Sequence, residues 1–171
     1  RTLVRFSLAQ IPANATVSQA TLEFYVGGAW GYGDSVPIEV YRLAVPWAAA
    51  TTTWNNQPAS AEQHATISAP WALGGLTMDV TSLVQGWVSG AYPNEGLVLR
   101  GRESPLGWRL IGRSRTTTPP LLHVEYSYTP TFAIVGVADT FAVAPGQAVS
   151  LTVYADAVGG FSETVGHQVG T

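Results

Sequence analysis

The chain predicts an all-β fold, an antiparallel β-sandwich with one short helix, followed by an incomplete strand-forming tail. Three observations point there. Charged residues make up only 11% of the 171, while 18 glycines, 11 prolines and six tryptophans punctuate the chain, a composition that suits short strands joined by tight turns. Apolar and polar residues alternate over several stretches, the period of two that sets one face of a strand on a core. Only one segment, within residues 79–101, carries helical spacing.

Taken in order, residues 1–8 (Arg-Thr-Leu-Val-Arg-Phe-Ser-Leu) read as a strand from the first position, so the chain is expected to be an excised or processed segment. Leu22, Phe24 and Val26 alternate with Glu23 and Tyr25, and Ile38, Val40 and Arg42 with Glu39, Tyr41 and Leu43. Both are half-buried strand patterns. Between them, residues 27–34 (Gly-Gly-Ala-Trp-Gly-Tyr-Gly-Asp) are expected to form a flexible loop carrying two aromatics. In the helical segment, Leu83, Val84, Trp87 and Val88 share one face. Ser82 and Gln85 have capping-box spacing, and Gly90 stands where a left-handed C-terminal residue belongs. Further strands are expected at 97–100, 108–112 and 122–128, the last with Leu122, Val124, Tyr126 and Tyr128 on one face. Near residues 128–130 the character changes. Residues 132–137 and 149–154 read as strands around a Pro145-Gly146 turn, too few to bury a core of their own. The domains are therefore expected at 1–128 and 129–171, with the tail packed on another element.

Composition also excludes functions. All eight basic residues are arginine, so lysine–asparagine cross-links are ruled out, and no cysteine is present for disulfides or thiolate metal sites. A net charge of -3 argues against general nucleic-acid binding. No apolar run is long enough to span a bilayer. His64, His123 and His167 stand apart, without metal-ligand spacing, and His123 reads as an outward strand residue. No nucleophile elbow, phosphate loop or recognisable carboxylate pair is found, so neither catalysis nor a cofactor is expected.

Four stretches together carry a family resemblance. They are Leu3-Val-Arg-Phe-Ser-Leu-Ala-Gln-Ile-Pro-Ala-Asn-Ala-Thr-Val17, Thr53-Trp-Asn-Asn-Gln-Pro58, the segment 79–101, and Pro120-Leu-Leu-His-Val-Glu-Tyr126. Residues 1–128 thereby resemble bacterial extracellular modules called DNRLRE domains, which overlap with a carbohydrate-binding module family of jelly-roll β-sandwiches. The resemblance implies a noncatalytic jelly roll on a secreted or cell-surface protein. Such modules usually open with an extra strand or two of Asp-Thr-Tyr type, which this chain lacks. The tail, with Pro145-Gly146, Leu151-Thr-Val153, Gly160-Phe161 and Val165, resembles the start of a bacterial immunoglobulin-like repeat. Residues 138–141 (Ala-Asp-Thr-Phe) also resemble the missing opening strand.

Two functional readings follow. In the first, a structural or adhesive surface protein self-associates, or joins neighbouring domains, by strand donation. The donors would be Asp139, Phe141 and Val143, or Val149, Leu151 and Val153, seated in the groove left by the missing strand. In the second, the module binds a polysaccharide. Trp30 and Tyr32 serve either as a sugar platform or as loop packing. Arg100, Arg102, Arg109, Arg113 and Arg115 serve either to bind an acidic polysaccharide or to pair with Glu95, Glu103 and Glu125. Trp54 and Trp87 are expected in the core.

Overall fold

The computed structural model describes residues 1–31, 35–70, 72–101, 107–111, 118–129, 131–135 and 154–158. Its elements are β1 (Thr2–Val4), β2 (Thr16–Gly31), β3 (Ser35–Leu43), β4 (Ser60–Pro70), β5 (Gly74–Asp79), α1 (Thr81–Val88), β6 (Leu97–Gly101), β7 (Gly107–Ile111), β8 (Leu121–Ser127), β9 (Thr131–Val135) and β10 (Tyr154–Val158). They fall into two compact units, Arg1–Ser127 and Tyr128–Thr171.

Unit 1 is an antiparallel sandwich. Its first sheet runs β1-β6-β3-β4. The second runs β5-β2-β7, with β8 paired to β2 on the same side as β7, so that β7 and β8 follow one another along that long strand. Alternation sets the inner faces. Leu22, Phe24 and Val26 of β2 meet Ile38 and Val40 of β3 and Leu97 and Leu99 of β6, each no more than 1% exposed. At roughly 1.5–3 kcal/mol for each fully buried side chain of this size, this apolar layer is the main source of stability in a domain without disulfides.

The helix closes one side of the sandwich with the expected stripe, since Leu83, Val84, Trp87 and Val88 are all buried. Its C-terminus follows the expected pattern too. Gly90 has φ 71°, its N–H bonds the Trp87 carbonyl at 3.3 Å, and the Ala91 N–H bonds the Gly86 carbonyl at 3.0 Å. This doubly bonded left-handed ending satisfies carbonyls that would otherwise be orphaned. The N-terminus differs. Val80 holds the cap position with no side-chain bond, and Ser82 and Gln85 form no capping box. Asp79 Oδ1 instead accepts from the Thr81 N–H at 2.8 Å. Gln85 reaches across to β2, where its Oε1 accepts from the Val17 N–H at 2.7 Å. Asp79 thus satisfies a donor at the helix start, and Gln85 serves the helix–sheet contact.

Three further expectations are corrected, and two strands are added. The first strand ends at Val4, because the chain then turns, the Ile11 N–H bonding the Leu8 carbonyl and the Ala15 N–H the Pro12 carbonyl, each at 2.9 Å. Residues 27–31 are not loop. They continue β2, because β7 pairs with them and sets Trp30 opposite Trp108, and only residues 32–34 separate β2 from β3. The alternation expected through Arg42 and Leu43 inverts at a bulge, so that Leu43 is buried. Strands β4 and β5, unread in the sequence, form because β3 and β2 offer them ladders. Ser60–Pro70 has no strong apolar alternation of its own.

In unit 2, β9 and β10 pair antiparallel, with Tyr154 opposite Val135 and Val158 opposite Thr131. The expected donor residues Asp139, Phe141, Val143, Val149, Leu151 and Val153 lie outside the described residues.

Candidate functional site

Register places the polar and aromatic residues on the outer face of the first sheet. Because Ile38, Val40 and Leu99 point inward, alternation sets their neighbours Glu39, Tyr41, Val98 and Arg100 on the outer side, where Val98 is itself covered and only 4% exposed. Leu3, Val98, Tyr41 and Gln63 form one row across β1, β6, β3 and β4, and Arg100, Glu39 and Thr66 the next. The Arg100 guanidinium lies over the Tyr41 ring, 4.8 Å from its centroid. The Tyr41 hydroxyl lies 3.1 Å from a Glu39 oxygen and 3.0 Å from the Gln63 side-chain oxygen. Desolvation, with the Glu39 hydrogen bond, raises the pKa of that hydroxyl above its ordinary value.

The segment joining β3 to β4, residues 44–59, folds back toward β1 and β6. Trp47 Nε1 donates to the Glu95 carbonyl at 2.8 Å. Arg5 sits 5.8 Å from the Trp47 ring centroid and 3.8 Å from the Glu95 carboxylate. Further along, Thr53-Trp-Asn-Asn-Gln-Pro58 makes a turn fastened by its own side chains. Asn56 Oδ1 accepts from the Thr53 hydroxyl at 2.8 Å, Asn56 Nδ2 donates to the Thr51 carbonyl at 2.9 Å, and Gln57 Nε2 donates to the Trp54 carbonyl at 2.8 Å. This network presents Trp54 outward. The Arg1 guanidinium covers its ring at 5.0 Å and donates to Gln57 Oε1 at 2.7 Å. A cleft of about 540 Å³ lies alongside, lined by Trp47, Thr52, Asn56 and Gln57 among others.

Trp54 is therefore not a core residue. It is 63% exposed, the most exposed of the large apolar side chains described. Trp87 is core as expected. Of the other expected site residues, Trp30 lies in β2 and Tyr32 lies outside the described residues. The arginine group is not gathered on one sheet. Arg100 stands in β6 of the first, whereas Arg109 stands in β7 of the second, opposite Ala29. Arg102, Arg113 and Arg115 lie outside the described residues, as does Glu103, and Glu95 pairs with Arg5. His123 is outward as expected and meets Glu23 at 3.1 Å. Arg1 and Gln57 were not singled out from sequence, Tyr41 was read only as a strand residue and Trp54 as core, although two signals could have found this grouping. One is the parity that puts Tyr41 on the polar side of its strand. The other is the run Asn55-Asn56-Gln57 beside Trp54, whose amides are suited to holding an outward turn.

Aromatic faces, guanidinium forks and side-chain amides can together stack on a sugar ring, bind a carboxylate and hydrogen-bond hydroxyls. Among the described residues, no group of three or more potential metal ligands comes together, and no helix is long and apolar enough to cross a membrane. In comparisons with known proteins, no curated protein and no solved structure matches the chain. The model of carbohydrate-binding module family 96 matches residues 1–126, which take in the outer face of the first sheet, the 53–58 turn and the helix. By that match over most of its length, the protein belongs to carbohydrate-binding module family 96.

Proposed function

We propose that residues 1–128 are a noncatalytic, extracellular or surface-exposed module that binds an acidic polysaccharide through the outer side of the first sheet. The observation that carries this reading is the Trp54 turn, an aromatic ring held 63% exposed by hydrogen bonds, with the Arg1 guanidinium on it and the Gln57 amide beside it. Exposing that ring to water is unfavourable, and four side-chain hydrogen bonds hold the turn that keeps it out, counting the Thr53 N–H to Asn56 Oδ1. Arg1 and Arg100 supply the carboxylate-binding forks. Trp54 and Tyr41 supply ring surface. The test is retardation in affinity gels containing a uronate polymer or a neutral glucan. The parent is expected to be retarded by the uronate gel, and Trp54→Ala to lose at least tenfold in affinity, about 1.4 kcal/mol. Equal retardation of parent and variant would remove this face as the site.

A second reading, assembly by strand donation, has one supporting observation. Among the described residues no strand pairs with the side of β8 away from β2, and Leu121 on that strand is 47% exposed. Concentration-dependent head-to-tail polymers seen by electron microscopy would support it. A monomer at all concentrations would dismiss it.

A further inference from the structure

A second concavity in unit 1 has a different chemistry. The outermost strands β4 and β5 belong to opposite sheets, and the gap between them, capped by the first turn of α1, forms a cleft of about 710 Å³. That size lies within the range of small-ligand sites. Its apolar surface comes from Ile67 and the buried Met78. Around this stand the hydroxyls of Thr77 and Ser82 and the carboxylate of Asp79.

One backbone irregularity builds much of this cleft. Val40 pairs with Ala65 but Tyr41 with Gln63, so His64 is an extra residue bulged out of β4. Bulges re-aim side chains. Here the bulge sends His64 toward the helix, where Nδ1 meets Ser82 Oγ at 3.3 Å and the ring lies 6.1 Å from that of Tyr92. Burial lowers the imidazole pKa, which favours the neutral ring near pH 7. Hydrogen bonds from the Thr81 hydroxyl and N–H lower the Asp79 carboxyl in turn and keep it ionised. The lining thus carries one fixed negative charge and no arginine. An anionic sugar would be repelled. A neutral one offers hydroxyl donors to Asp79 and C–H surface to Met78 and Ile67.

We infer that the cleft between β4, β5 and α1 is a second carbohydrate subsite, taking a neutral sugar residue and separate from the arginine and aromatic side of the module. It shares with the proposed function only the premise that the module binds glycan. Asp79 and Ser82, both exposed at the helix end of the cleft, accept hydroxyl protons, and Thr77 bonds the sugar at the rim.

The test is amide chemical-shift mapping with neutral tetrasaccharides (cello-, xylo- and mannotetraose) and, separately, tetragalacturonate. At least one neutral probe is expected to shift residues 64–67 and 77–82. Thr77→Arg, at an exposed rim position, is expected to weaken that probe at least tenfold while changing tetragalacturonate affinity less than twofold. Ser82→Ala, which removes one exposed hydroxyl, is expected to weaken it several-fold with an unchanged melting temperature. Absence of cleft shifts with every neutral probe, or full affinity in Thr77→Arg, overturns the subsite. Failure of the proposed function has a different signature, namely loss of tetragalacturonate binding by the parent, or its persistence in Trp54→Ala.

Discussion

At the scale of the residue, His64 is where acid should first be felt. Its pKa is lowered from the ordinary 6.5, chiefly by burial, with Arg42 adding to the effect and Glu62 opposing it. The unfolded chain therefore takes up the proton before the folded one does. The contribution of neutral His64 to stability is full above pH 6.5 and is lost as pH falls from there through its folded pKa. Glu62, held low by its hydrogen bond to Arg42, and Asp79, held low by Thr81, have the same sign in a lower window, below their ordinary values of 4.5 and 3.8. Denaturation midpoints across pH 7.5 to 3 are expected to fall in two stages, and His64→Gln to lose only the upper one. An unchanged upper stage in that variant would assign it to another group. Gly86 offers a second check. A methyl group there would run into the Tyr92 hydroxyl, which lies 3.4 Å from both the Ser82 and Leu83 carbonyls, while Arg42 covers the Tyr92 ring. Gly86→Ala is expected to cost about 1–3 kcal/mol in chemical denaturation, as overpacking does. Neither role was legible in sequence, because a bulge and a tyrosine six residues past a glycine leave no periodic trace. The outward setting of His123 was legible, because it follows from strand parity alone.

At the scale of the element, α1 shows which signals survive folding. Its apolar stripe and its glycine ending depend on local geometry and were readable. Its N-terminus was not, because the Gln85 side chain bonds a backbone donor 68 residues earlier in the chain. The stripe makes Trp87 a core residue, 7% exposed, and Trp87→Ala is expected to cost about 3–5 kcal/mol, measured by thermal or chemical unfolding. A variant melting with the parent would mean that the helix is not held by this face. Strand β2 shows the converse. Four of the eight residues 27–34 are glycine, which reads as a loop, yet pairing with β7 holds residues through Gly31 in a ladder. Long-range hydrogen bonds overrode local propensity. The same limit hid β4 and β5, and it split Arg100 from Arg109, close in sequence but placed on different sheets.

At the scale of the whole molecule, net charge and local chemistry oppose each other. With a formal charge of -3, the protein has no net field to draw in a polyanion. On the proposed reading, affinity for an acidic glycan comes from close contact with arginines such as Arg1 and Arg100, both set against aromatic rings. Contacts of this kind act over short range, and added salt competes with them as the screening length shrinks from about 10 Å at 0.1 M toward about 3 Å at 1 M. The apolar core is indifferent to that change. Raising sodium chloride from about 0.05 to 0.5 M is therefore expected to weaken binding to a uronate polymer by tenfold or more while the melting temperature holds. The outer side of the first sheet and the core beneath it both lie within Arg1–Ser127, so a chain ending at Ser127 is expected to keep both the affinity and its salt dependence. Calorimetry of the shortened chain against the full one decides this. Loss of binding in a shortened chain that still unfolds cooperatively would mean that residues 128–171 contribute to the site, and salt-independent binding would mean that sugar stacking on Trp54 acts without the arginines.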